Sequence, residues 1–315
     1  MPRLITVFLF AIIFPIAGVK AQEQPFNVKQ IAPHVWAAIA TPTGGAGGNA
    51  GFVIGDDAVL VIDTVMSTAA AQELLGEIRK VTKLPIRYVV NTHYHFDHVV
   101  GNRVFVDAGA VVLAQQNVRG WIVPENLRLL GKDAKPELKG TIEGVALPTI
   151  LYERGVDVYL GSRRIRVESL PGHTGGDSIV IVPDARTVFM GDLFWRNILP
   201  NLIDASTAAW IETLGSVAAA EPNSSFVPGH GDVGTAKDLL ALRDYLATLR
   251  TFVSEARAKG LSGSALVDSV MPALTARYGE WDFFKYLAQP SILHMDEELS
   301  GTKRIPRAEA AVGDR

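Results

Sequence analysis

Cysteine is missing altogether from the 315 residues. The chain can build no disulfide framework and no thiolate metal ligand. A basic excess is missing too. Thirty Lys and Arg stand against 33 Asp and Glu, so the positive footprint of a nucleic-acid binder is absent. Long apolar runs are scarce. The longest, Leu4 to Ile16, is interrupted by Pro15 and falls short of the ~20 residues of a membrane span. Histidine is scarce as well, with seven in the chain, so where these seven stand carries information.

The N-terminus reads MPRLITVFLFAIIFPIAGVKAQEQP. Arg3 supplies a charged start, an apolar stretch follows, and Val19 and Ala21 place small residues before a cleavage point. This predicts a signal peptide over 1–21 and a secreted or periplasmic product without a stable membrane anchor. Without cysteine, an exported chain must draw its stability from its core and from any metal it binds. With 48% apolar residues, the chain can form one large domain or two modest ones. Oligomeric state is not encoded in any readable feature.

Strand-like text fills HVWAAIATP (34–42), FVIGDDAVLVIDT (52–64), with a turn at Gly55-Asp56-Asp57, and IRYVVNT (86–92). The glycine-dense TGGAGGNAG (43–51) predicts a mobile loop or a hairpin connection. STAAAQELLGEIRKV (67–81) predicts a helix capped by Ser67, and VVLAQQ a further strand. Residues 117–150, punctuated by Pro124, Pro136 and Pro148, read as irregular. Hairpins are expected over 156–172 and 177–192, a helix over 206–220 and a strand followed by a loop over 224–231. Strands followed by helix thus occur twice, over about 34–149 and 156–231, which predicts two similar α/β halves with sheets inside and helices outside. From Thr235 the text is helical to about 299. Residues 300–315 read as a frayed tail.

Five of the seven histidines lie in turns that follow apolar strands: His93, His95 and His98 in THYHFDH, His173 in LPGHTGGD and His230 in VPGHGD. Loops at strand ends are where sites are built. His93 and His95 alternate at a strand end, so both imidazoles can face one cation. A distant third ligand would leave a position open for water. Asp97 and His98, one turn on, face a second point. A second ion ~3.5–4 Å from the first is the spacing of hydrolytic two-metal sites. Asp192, ending FMGD, has the same grammar, and a carboxylate there would hold two like charges together. His34 reads as a surface turn and His294 as helix packing.

THYHFDH, GHTGGD, GD and PGHG, in that order over about 34–231, resemble the metallo-β-lactamase superfamily of hydrolases. The resemblance implies a four-layer αββα sandwich as a catalytic domain over 22–234, with extra helices over 235–299. It implies His93, His95 and His173 on one zinc, Asp97, His98 and His230 on a second, and Asp192 as the bridge. Asp63, ending VLVID, matches a family aspartate that holds ligand geometry. NILPNLIDASTAAW (197–210) is similar to a segment of the cysteine-containing β-lactamases. There it implies Asn201 polarising the substrate carbonyl, with Arg196 standing for a lysine that grips the substrate carboxylate. Asp192 stands where those enzymes have cysteine, and that ligand set is closer to glyoxalase II and lactonases.

The expected activity is therefore cleavage of a carbonyl ester, thioester, lactone or amide by a metal-bound hydroxide, with Asp97 orienting the nucleophile and moving a proton. A β-lactam is one candidate substrate. A glyoxalase II-like thioesterase or lactonase is the alternative, and a metal-binding accessory protein without turnover is the competitor from another class. The redox branch of the superfamily carries Glu at the second histidine, so His95 favours two zinc ions over iron or manganese.

Overall fold

The computed structural model of the chain describes residues 24–306. The leader expected over 1–21 and the end of the expected tail, 307–315, lie outside the described residues. No helix among the described residues is long and apolar enough to cross a membrane.

The first half opens with β1 (Phe26–Ala32), β2 (Val35–Ala40), β3 (Ala50–Ile54) and β4 (Val59–Ile62), which form an antiparallel meander. It continues through α1 (Thr68–Val81), β5 (Ile86–Val90), the short helices α2 (Phe96–Val99) and α3 (Asn102–Asp107), and β6 (Val111–Gln115). Helices α4 (Gln116–Leu130) and α5 (Pro136–Glu143) precede β7 (Ile150–Tyr152), and β4 to β7 run parallel. The seven strands lie in sequence order in one sheet.

The second half repeats the plan. Strands β8 (Gly155–Leu160), β9 (Arg163–Ser169), β10 (Ser178–Val182) and β11 (Thr187–Trp195) form the meander. Helix α6 (Thr207–Ala220) crosses over to β12 (Ser225–His230), which pairs parallel with β11. Helices α7 (Ala236–Ala258), α8 (Gly263–Tyr278) and α9 (Phe284–Ser300) complete the described chain.

Alternation along the strands sorts the side chains into layers. In β4, Val59 and Val61 face the core under α1 and α3, while Leu60 and Ile62 face the core between the sheets. In β10, Ile179 and Ile181 face the helices, and Val180 and Val182 the interior. The interior strands β3, β4, β10 and β11 are covered on both faces and are buried throughout, while β1, β8 and β9 alternate with polar residues. The outer helical layer on the second sheet is α6 with α7, α8 and α9, packed in one core around Trp210 and Tyr245. The expected αββα sandwich with added C-terminal helices is the observed architecture, and the added helices are continuous with its core.

Two expectations change, and a third is narrowed. Residues 117–150 are largely helical: α4 runs through Pro124, and Pro136 sits at the start of α5. Residues 300–306 do not fray, because Ser300 ends α9 and Lys303, Arg304 and Pro306 pack back onto the domain. Of the two readings of the glycine-rich stretch, it is the hairpin connection between antiparallel β2 and β3, and its second part is anchored: Ala46, Gly48 and Asn49 are buried, and Asn49 Nδ2 donates to Pro228 O and Gly231 O. His34 is an exposed turn residue as expected, and His294 sits on α9, hydrogen-bonded to Glu297.

Candidate metal centre

The parallel pairings β4–β5 and β11–β12 bring four strand ends to the same edge of the sandwich. Asp63 follows β4, the 91–98 turn follows β5, Asp192 lies in β11 and His230 ends β12. The 170–177 loop enters β10, which is antiparallel to β11, and so delivers His173 to that edge as well.

The seven expected ligands form two adjoining groups, His93, His95, His173 and Asp192, and Asp97, His98 and His230. In the first, His95 Nδ1 lies 3.0 Å from both His93 Nε2 and His173 Nε2. Asp192 Oδ2 lies 3.3 Å from His173 Nε2 and 3.7 Å from His93 Nε2. In the second, Asp192 Oδ1 lies 3.1 Å from His98 Nε2 and 3.4 Å from His230 Nε2. Asp97 Oδ2 lies 3.3 Å from His230 Nε2 and 3.6 Å from His98 Nε2. Four donors at ~2.0–2.1 Å from a tetrahedral ion stand ~3.4 Å apart, which is the spacing of both groups. Asp192 presents one oxygen to each.

The donor atoms fit a cation on a second ground. His98 Nε2, His230 Nε2 and Asp192 Oδ1 are buried and have no hydrogen-bond partner. Such an orphan costs ~1–3 kcal/mol, and an ion between them would satisfy all three. Electrostatics divide the two groups. Burial holds His93 well below the ordinary imidazole range, and burial also takes His173 down to about 3, so both are neutral with a lone pair free. For His98 and His230 burial acts the same way, but Asp192 and Asp97 outweigh it. His98 is raised well above its usual value, and His230 to about 9. The second group therefore seeks positive charge, a proton or a metal ion. Burial opposes ionisation of Asp97, yet His98 and His230 hold its pKa below the ordinary carboxylate range.

A shell of fixed partners orients the ligands. Asp63 Oδ2 accepts from Thr92 Oγ1 and lies 2.8 Å from His98 Nδ1, while its Oδ1 accepts from the Thr92 backbone at 2.8 Å. Asp177 accepts from Thr174 N and Oγ1 and pins the His173 loop. Burial pushes its carboxyl up to about 8. Asn126 on α4 donates to Tyr94 O and accepts from Phe96 N, bracing the 91–98 turn. Gly229 has no alternative: a methyl there would lie 1.9 Å from Asp192 Oδ1.

Two residues emerge from the structure alone. Asp204 Oδ2 lies 3.8 Å from His95 Nε2, and the carboxylate accepts from Tyr94 Oη and, at 2.7 Å, from Arg128. Trp195 stacks on His230 with ring centres 3.9 Å apart. Asp204 stands three residues after Asn201 in the segment already singled out, which is the one signal that pointed to it. Trp195 ends an apolar strand and reads as core.

Asn201 and Arg196 lie in the loop after β11. Asn201 Oδ1 accepts from Ile203 N at 3.0 Å. Arg196 Nε faces Asp238 Oδ1 at 3.3 Å, and its backbone N–H donates to His230 O. The Asn201 side chain is engaged within its own loop, and that of Arg196 with Asp238 at the start of α7.

The sequence profile described as the metallo-beta-lactamase superfamily matches residues 43–246. Among curated proteins, a linear primary-alkylsulfatase of Pseudomonas sp. is 22% identical over 263 residues, 70% of this chain and 50% of that protein. A hydroxyacylglutathione hydrolase of Brucella ovis is 27% identical over 144 residues, 45% of this chain and 47% of that protein. The chain spans about half the length of these curated relatives. A solved metallo-beta-lactamase from Pontibacter korlensis superposes with a TM-score of 0.57 at 22% identity, covering 70% of this chain and 99% of that one. One from Erythrobacter litoralis gives 0.57 at 20% identity, covering 71% and 96%. These two likenesses show the fold. Profile, fold and the paired His/Asp clusters lead to one assignment: the chain belongs to the metallo-beta-lactamase superfamily.

Proposed function

We propose that the chain is an exported dizinc hydrolase of carbonyl esters or thioesters. The observation that carries this reading is Asp192, with one oxygen 3.3 Å from His173 and the other 3.1 Å from His98. A carboxylate so placed serves two cations at once. The donor set is nitrogen and oxygen only, which suits zinc.

In this reading His93, His95, His173 and Asp192 would hold one ion, and Asp97, His98 and His230, with Asp192 shared, would hold the other. Zinc bound there would supply a Lewis acid for the scissile carbonyl and lower the pKa of water to ~7. The chain's own residues do the rest. Asp63 fixes the ring of His98 at 2.8 Å, and Asp204 sets a negative charge 3.8 Å from His95 Nε2, so these donors are oriented before reaction. Asp97, the least buried of the ligand carboxylates, is ionised at neutral pH. It orients the attacking water and passes a proton towards the leaving group. Trp195 covers one face of His230 and excludes solvent from it.

A thioester or ester is favoured over a β-lactam by two features. Asp192 stands where a cysteine-dependent β-lactamase would differ, and Arg196 is paired with Asp238. The similarity to a hydroxyacylglutathione hydrolase supports the thioester. The similarity to an alkylsulfatase supports including sulfate esters in the test. Export rests on the leader sequence.

The test is metal analysis together with a panel of thioesters, lactones, aryl esters, alkyl sulfates and nitrocefin. Two zinc ions per chain and thioester or ester turnover that EDTA removes are expected. Turnover of nitrocefin alone would replace the ester reading by the β-lactam one. Two bound ions with no turnover of any panel member would favour the accessory protein.

A further inference from the structure

Residues 301–306 contribute no ligand, yet they are anchored at three points. Lys303, with 3% of its side chain exposed, donates from Nζ to Ala205 O at 2.6 Å and lies 3.7 Å from Glu298 Oε2. Arg304 forks onto Glu125, with both contacts at 2.7 Å. Pro306 is buried, and its carbonyl lies beside the His173 loop: a methyl built on Gly175 would stand 3.8 Å from that oxygen.

The two cationic anchors converge. Ala205 is the neighbour of Asp204. Glu125 accepts from Arg128 Nε at 2.6 Å, and Arg128 Nη2 donates to both oxygens of Asp204 at 2.7 Å. Asp204 in turn faces the outer nitrogen of His95, whose other nitrogen belongs to the first ligand group. An ammonium is costly to bury without partners, and a bidentate guanidinium–carboxylate pair restricts orientation as well as position. The three anchors fall on α4, on the Asp204 loop and on the His173 loop. Each of these supports the first group. In the second group Asp63 braces His98, while Thr92, which donates to Asp63, also lies 3.1 Å from His93 Nδ1 of the first.

We propose that residues 301–306 are a clasp in which Lys303 and Arg304 are positioning residues for His95, setting the metal affinity of the His93–His95–His173 group and not of its neighbour. This rests on the metal-centre reading given above. Outer partners of a metal ligand typically change affinity 10–100-fold, and a partner one contact further out is expected to act at the low end of that range.

Zinc titration of the full chain tests it, with each group isolated in turn. In a His230→Ala background, which cripples the second group, Lys303→Met with Arg304→Ala should weaken zinc about tenfold. In a His173→Ala background the same pair should leave affinity within about twofold. Asp204→Asn should reproduce the loss in the first background, and adding the clasp variants to it should cause little further loss. Equal weakening in both backgrounds would mean a general structural role and overturn the clasp. No weakening in either would overturn it too. If the otherwise unaltered chain takes up no zinc, the metal reading itself falls, and the clasp with it.

Discussion

At Asp192 the two carboxylate oxygens have different neighbours, and the backbone around them leaves no slack. Gly191 has a φ of +50°, and Gly229 sits where any side chain would meet Oδ1. Gly229→Ala should therefore displace Asp192 and strip both groups together. Metal analysis should show loss of both ions, and retention of both would contradict the shared-ligand reading. Asp63→Asn changes a more local property. It keeps the shape but removes the charge beside His98 Nδ1, so zinc binding at the second group should weaken about 10–100-fold, read by titration in a His173→Ala background. The ligands were legible because THYHFDH sets its donors by local geometry at one strand end. Asp204 was not, because it reaches His95 only through the tertiary packing of the loop after β11. In sequence it is one loop aspartate among many.

At the scale of elements, α4 is the instructive departure. Pro124 and the lack of a regular apolar stripe hid it, since a proline usually ends a helix. The helix persists because its residues are held from outside: Asn126 braces the metal turn, and Glu125 and Arg128 join the ionic chain to the C-terminal segment. Arg304 and Arg128 hold the Glu125 carboxyl below its ordinary value, against the opposing effect of burial. An acid with a depressed native pKa stabilises the fold above its unfolded pKa, and that contribution is lost as pH falls through the native value. Glu125→Gln should thus lower stability by about 1–2 kcal/mol near neutrality. The difference from the unaltered chain should shrink as pH falls below the ordinary carboxylate range. Denaturant midpoints across a pH series would show it, and a pH-independent difference would refute it. Helix α7 was legible from its start, where Thr235 and Asp238 form a reciprocal cap. Thr235→Ala should cost about 1 kcal/mol, seen as a shifted midpoint with an unchanged denaturant slope.

Across the whole molecule, the order of strands and helices was readable because each half repeats one plan. The edge strands β1 and β7 escaped notice, since neither shows the apolar run of an interior strand and β7 has only three residues. Metal and fold should be linked. An ion that binds only the native chain adds about 2.7 kcal/mol at a free concentration 100 times its Kd, so chelation should lower the unfolding temperature. A chelated protein that melts unchanged would exclude tight structural binding. The halves supply the donors in a crossed pattern: His93 and His95 from the first meet His173 from the second, and Asp97 and His98 from the first meet His230 from the second, with Asp192 common to both. Two ions bound as proposed would act as rivets through the seam between two repeats. A sandwich with them in place would not breathe open at that edge. Amide hydrogens of the 91–98 and 170–177 loops should exchange slowly in the riveted protein and quickly once the ions are drawn out, while the far edge keeps its own pace.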